Sequence, residues 1–239
     1  MKEKASLYNL SSYKYSDSFS DLHSEASYKS LAFIDFLEDG ESLVKAKQSK
    51  LDALLKALYE KDEEEGQIFE QQDHFLESTI NKTLEESFLL AASSYLFSQF
   101  EYLMFAIAKK TGELFNSPVE VDKYAHRCKK NKQGISQALA YIQEYSKISF
   151  NDLNGYWSDI KQFQKIRNCI VHANGIVKSN YKGLDAYAET KKNGLLYKAD
   201  SNQIIIKKEY LLELRKKCFD FLEKIMEKVW ENRPKKDLE

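Results

Sequence analysis

Apolar positions recur at spacings of three, four and seven along most of this chain, and that period predicts long amphipathic helices. Residues 1–20 lack it. They are Ser- and Tyr-rich and predict a mobile tail, with Tyr8, Tyr13 and Tyr15 as side chains able to dock. From Asp21 the pattern is helical, and Leu43, Val44, Leu51, Leu54, Leu55 and Leu58 mark one face of a helix ending at the acidic run Asp62 to Glu65 and Gly66. Gly40 is expected to break or kink what precedes that face. A second long helix is expected from Gln67 to Lys110, stopped by Thr111-Gly112. Its later turns, Phe88 to Ala108, are apolar nearly all round, as in a helix buried at the centre of a bundle.

After Pro118, residues 119–130 and 133–146 carry two shorter helical patterns. Trp157 to Ala173 carries a third, capped by Asn174-Gly175, residues suited to the left-handed conformation. Leu195–Tyr197 and Gln203–Ile206 flank Asp200-Ser201-Asn202 and predict a small hairpin. A closing helix, Glu209 to Trp230, is expected to turn Leu212, Leu214, Cys218, Phe219, Leu222, Ile225, Met226 and Val229 inward. The expected plan is therefore all-α: a tail at 1–20, a helical extension at 21–66 and a helical domain at 67–239. Two prolines and eight glycines in 239 residues agree with it, because sheet-rich folds need more turn punctuation.

Charge changes the picture only locally. The formal net charge is −1, but residues 1–119 carry 12 basic and 21 acidic side chains and residues 120–239 carry 24 and 16, so a polyanion is expected to meet the second half. Three scattered cysteines, Cys128, Cys169 and Cys218, do not make a disulfide framework and fit a reducing cytoplasm. The first twenty residues lack the apolar core of an export signal. Phe88 to Ala108 is long enough to span a bilayer, yet Glu101 at mid-span would cost about 2.5–3.5 kcal/mol there, so no membrane partner is expected.

The candidate chemistry lies on the 157–173 helix. At about 100° per residue, Phe163, Ile166 and Ile170 form its buried stripe, while Lys161, Lys165, Asn168 and His172 gather on the opposite side. His172 therefore points away from its own core. Taken alone, a helical histidine is most often a solvated spectator. Its neighbours favour chemistry: Arg167 has a planar fork that matches phosphate oxygens, Asn168 sits one turn before His172, and two lysines extend the face. Arg167 lies about 140° from His172 by helical angle and would have to reach over with its long side chain.

The string IRNCIVHANGIV resembles the Arg-x4–6-His signature of the HEPN superfamily, whose members commonly have a polar residue directly after the Arg. Arg167, Asn168 and His172 match those positions. The resemblance extends to the apolar helix ending in FEYLMFAIAKK, the ISQALAYIQEY helix and the closing helix, roughly residues 67–230. It implies a four- or five-helix bundle that dimerises and cuts RNA without metal or other cofactor, often in toxin, antiphage or RNA-surveillance systems, where a neutralising or regulatory protein is a further partner. Cleavage through a ribose 2′-OH needs a base, an acid and cations for the phosphorane: His172 suits base or acid, Arg167 would hold the phosphoryl oxygens, Asn168 would set the imidazole or the RNA backbone, and Lys161 and Lys165 would contact flanking phosphates. Two departures stand out: Asn174 replaces the Tyr two residues past the His in members paired with nucleotidyltransferase antitoxins, and the segment before residue 67 has no counterpart in the minimal fold. The same resemblance also covers a binding or regulatory module without activity.

Other candidates are weaker. Glu101 aligns with Ser87, Ser94 and Ser98 in a narrow polar stripe; it is either satisfied by a neighbouring hydroxyl or lysine, or it braces Arg167. His126-Arg127-Cys128 and Cys169 with His172 contain zinc-ligand types, but their spacing is not that of a finger or ribbon, and no metal site is expected. Lys123, Arg127, Lys129, Lys130 and Lys132 form the best basic patch outside the motif, either a solvated face or an RNA track.

Overall fold

The computed structural model describes residues 17–59, 66–127, 133–191 and 194–234. Along these run α1 (Asp17–Tyr59), α2 (Gly66–Leu114), α3 (Val121–Arg127), α4 (Ile135–Ser146), α5 (Asn154–Ala173), α6 (Leu184–Thr190), β1 (Leu195–Lys198), β2 (Gln203–Ile206) and α7 (Lys208–Glu231), with single 3-10 turns at Asn151–Leu153 and Ser179–Tyr181. Among the described residues the chain is mainly helical with one antiparallel hairpin, and no helix there is long and apolar enough to cross a membrane. Two compact units are present: the described parts of Met1–Ala32, Tyr95–Ile166 and Leu212–Glu239, and of Phe33–Ser94 and Arg167–Leu211. The divisions fall inside α1, α2, α5 and α7, whereas the domain boundary expected at 66/67 falls at the first residue of α2.

In the first unit the core is aromatic and aliphatic. Phe97 meets Phe163 edge-on at 5.7 Å between ring centroids, Phe100 lies 6.3 Å from Phe221, and Phe19 lies 6.2 Å from Trp230. Phe19 sits inside the stretch expected to be a tail, yet it is buried, because α1 begins at Asp17; Tyr8, Tyr13 and Tyr15 lie outside the described residues. Full burial of one such side chain contributes roughly 1.5–3 kcal/mol. The buried Arg215 of α7 donates from Nη1 to Ser30 Oγ at 2.6 Å, which satisfies part of a charge that burial would otherwise penalise. On α7 the inward set is Leu214, Cys218, Phe221, Leu222, Ile225, Met226 and Val229 in this unit, and Tyr210 and Leu211 in the second. Leu212 and Phe219 are only half-buried, displaced by Leu211 and Phe221 on a face turned slightly from the expected one.

Two sequence expectations about breaks are corrected. Gly40 does not break α1; a Cβ there would lie 2.1 Å from the Phe88 ring, so the glycine admits an aromatic ring against the helix backbone. Thr111-Gly112 does not stop α2. Thr111 Oγ1 donates to Ile107 O at 2.8 Å, and Gly112 makes room for Tyr141, whose hydroxyl oxygen would stand 2.2 Å from an added Cβ. The stop comes at Asn116, φ +50°, with Ser117 N–H bonded to Gly112 O at 2.8 Å and Asn116 N–H to Glu113 O at 3.5 Å, the pattern of a Schellman motif. The apolar face expected on α1 is also only partly covered: Leu43 and Leu54 are exposed, and the buried positions of that helix lie earlier, at Phe19, Leu22, Ala26, Phe33 and Leu37.

The second unit holds the hairpin. Leu195 pairs with Ile206 and Tyr197 with Ile204, and Leu195, Ile204 and Ile206 are buried. Lys208 binds Glu41 at 2.7 Å and Lys198 lies 3.5 Å from Glu86. Helix α6, GLDAYAET with Gly183 at its N-terminal edge, has too short an apolar period to signal itself in the sequence, though Leu184 and Ala188 are buried.

Candidate active site

Helix α5 carries a continuous apolar stripe. Ile160, Phe163 and Ile166 are buried in the first unit, and Cys169, Ile170 and Ala173 in the second. Burial pushes the Cys169 thiol above its usual range, and its Sγ donates to Ile176 O at 3.3 Å, a packed and unreactive setting. With that stripe inward, the last turn exposes Val171 and His172.

Arg167 and Asn168 stand one turn earlier in the same unit. Arg167 is half-buried and donates from Nη1 to Asn168 Oδ1 at 3.0 Å, so the guanidinium and carboxamide are already joined. The sequence alone did not reveal Tyr181. Its hydroxyl donates to the Asn168 backbone carbonyl at 3.1 Å, adding a phenol beside the Arg–Asn pair from the 3-10 turn thirteen residues on. A lone tyrosine in a polar loop has no period or motif to announce it.

The C-terminal end of α5 is fastened by the hairpin. Asn174 and Gly175 adopt φ +51° and +77°, Gly175 N–H reaches back to Cys169 O at 3.2 Å, and Ile176 N–H bonds Ala173 O at 2.8 Å. The chain then runs beside β2: Ile204 N–H donates to Gly175 O at 2.9 Å, Val177 N–H to Asn202 O at 2.7 Å, and Ile176 bridges Gln203. The turn bearing His172 is thus held by backbone hydrogen bonds to a strand.

The remaining sequence candidates are placed elsewhere. Lys161 and Lys165 belong to the first unit. Lys165 is exposed, but Lys161 is half-buried: its Nζ donates to Ser136 Oγ at 3.1 Å and to Gln164 Oε1, and stands 5.8 Å from the Trp157 ring centroid. Burial, with Lys165 nearby, holds its ammonium below the usual lysine range. Glu101, also in the first unit, is half-buried with Oε1 packed against Gly134, where an added Cβ would come within 2.8 Å. Arg127 ends α3, Lys129 and Lys130 lie outside the described residues, and Lys123 pairs with Glu120 at 2.7 Å on an open surface. Among the described residues no three His, Cys, Asp or Glu side chains converge as a metal-ligand group. Compared with protein-family models, curated proteins and solved structures, the chain has no significant match in any of the three.

Proposed function

We propose that this chain is a metal-independent endoribonuclease of the HEPN type, acting in toxin, antiphage or RNA-surveillance roles in the cytoplasm. The observation that supports this most is the exposed His172 imidazole on a turn clamped by the hairpin, one helical turn from a preformed Arg167–Asn168 pair. In the proposed reaction the ribose 2′-oxygen attacks phosphorus and loses its proton to an imidazole. The bond from phosphorus to the 5′-oxygen breaks, and that oxygen takes a proton, leaving a cyclic phosphate and a 5′-hydroxyl. Arg167 stabilises the charge that builds on the phosphoryl oxygens. Asn168, whose Oδ1 is engaged by Arg167, has its amide NH2 left as a donor to the substrate. RNA would meet the basic second half of the chain, with Lys165 on a flanking phosphate. A homodimer with a shared site supplies the second proton-transfer group.

The half-burial of Arg167 favours one other reading, a HEPN-like module that binds RNA or a regulatory protein without cutting, since a guanidinium committed within its own chain can serve structure alone. One experiment separates them. Purified wild type and His172→Ala are incubated with total cellular RNA in EDTA. Cutting by wild type and none by the variant supports the nuclease; equal cutting by both, or cutting that needs added metal, overturns it; salt-sensitive binding with no cutting selects the module.

A further inference from the structure

A separate cavity of about 260 Å³ opens in the first unit, between α4, the start of α5 and α7. Its floor is apolar, with Phe150 and Phe221 both buried. Its walls are the half-buried Trp157, Gln143 and Ser136, and the exposed Asn154 stands at the rim. Trp157 is held flat by stacking on Phe221, 5.6 Å between centroids at 23°. Among the described residues neither the Gln143 nor the Asn154 carboxamide has a hydrogen-bond partner, so two residues lining this aromatic-walled cavity keep amide donors and acceptors for a ligand. Beside it stands the Lys161 ammonium, which reaches the lining residue Ser136 at 3.1 Å.

Flat aromatic surface, amides that can pair with a base edge, a cation for phosphate and space near the small end of ligand pockets are the features of a nucleobase site. The geometry points to this cavity as a subsite that takes one unstacked base of single-stranded RNA, with the Gln143 and Asn154 amides on the base edge and Lys161 on the adjoining phosphate. It rests on the reading of RNA as the substrate, and it names where a base outside the cleavage cluster is held. A phosphate there would also offset the burial that depresses the Lys161 ammonium. The lysine expected to be one more contact on an open phosphate track thereby becomes part of a base-binding pocket.

The chain has two tryptophans, Trp157 and Trp230, which makes the test direct. The full chain is labelled with 5-fluorotryptophan and titrated with the four ribonucleoside 5′-monophosphates, followed by fluorine NMR, with ribose 5-phosphate as the arm that lacks a base. The Trp157 resonance should shift saturably with at least one nucleotide while Trp230 stays fixed, and ribose 5-phosphate should not reproduce the shift. Gln143→Ala, which removes a half-buried amide without touching the aromatic floor, should weaken that binding by about fivefold or more, the scale of one hydrogen bond to a ligand. No shift with any nucleotide, the same shift with ribose 5-phosphate, or unchanged affinity in Gln143→Ala overturns the subsite. Nucleotide binding is read here without cleavage, so an empty pocket leaves the nuclease reading to its own test, and a filled pocket in a chain that cuts nothing leaves the subsite standing.

Discussion

Gly175 and Ile204 meet backbone to backbone: Gly175 O accepts the Ile204 N–H at 2.9 Å, and the Cβ that Gly175 lacks would lie 2.9 Å from Ile204 O. That approach joins the end of the motif helix to β2. Gly175→Ala therefore meets two penalties, a left-handed φ of +77° and a backbone clash. The expected loss is about 2–3 kcal/mol by denaturant unfolding, more than the ~1–2 kcal/mol of the left-handed conformation alone. Gly155→Ala is the control, since it has helical backbone and nothing within 4 Å, and it should be neutral or stabilising by about 0.5 kcal/mol. Equal stabilities for the two variants would show that the hairpin does not clamp the His172 turn.

His172 and Arg167 should separate by stability even where both abolish cleavage. Each alanine variant is expected to lower RNA cleavage by about two to four orders of magnitude. The exposed His172 can be removed within about 0.5 kcal/mol. Arg167→Ala strips a half-buried side chain of its bond to Asn168 and should cost about 1–2 kcal/mol. A melting point for His172→Ala well below wild type would make the imidazole a structural group.

Helix positions were legible because periodic apolar runs leave few alternatives: the α5 stripe of Phe163, Ile166 and Ile170, the Asn-Gly cap and the 195–206 hairpin all follow from residue type and spacing. What misled was glycine. Gly40 and Gly112 carry the residue type of a breaker but serve close approach by Phe88 and Tyr141, and the partners lie 48 and 29 positions away in sequence. Tertiary packing of that kind has no local signature. The same limit applies at the site: Arg167, Asn168 and His172 share one helix and could be read, whereas the Tyr181 hydroxyl and the Ser136 partner of Lys161 come from elsewhere in the chain.

The two lysines expected on one RNA-facing surface should behave differently. Lys165→Glu on the exposed side should weaken RNA binding and, by leaving one phosphate of a single strand without its cation, reduce the salt slope by about 0.7, with the melting point unchanged. Lys161→Glu breaks the bonds to Ser136 and Gln164 and should lower stability as well. An unaltered salt slope in Lys165→Glu removes that lysine from the RNA-binding surface.

Asp220 supplies a pH signature independent of the nuclease. Burial raises its carboxyl above the usual range, with Glu223 adding to the rise against the lowering effects of Lys216, Lys224 and Arg215. A carboxyl with a raised folded pKa keeps its proton better in the native state, so stability falls as pH climbs from the unfolded value, about 3.9, through the folded one. Asp220→Asn carries no such charge. It should be more stable than wild type at neutral pH, and the difference should close at about pH 3 where both side chains are neutral. A gain that persists unchanged into acid would trace to some other effect of the amide.

Counting proton-transfer groups leads to the assembly. Two-step transfer at a ribose 2′-OH is fastest with a base and an acid, and the motif offers one histidine per chain. A two-fold interface across the last turn of α5 would bring together two copies each of His172, Asn168 and Arg167. The repulsion between two arginines has to be offset, and Val171 and Ile176, 47% and 41% exposed on either side of His172 in sequence, offer apolar surface for it. We therefore expect a homodimer in solution that Val171→Asp weakens. The decisive measurement mixes His172→Ala with Arg167→Ala protomers after subunit exchange. Each variant homodimer lacks one group from both halves of the groove, while the mixed dimer keeps one histidine and one arginine and should regain part of the cleavage. A wild-type chain that scatters light as a monomer at its working concentration and still cuts at full rate would show that each chain holds a complete site of its own.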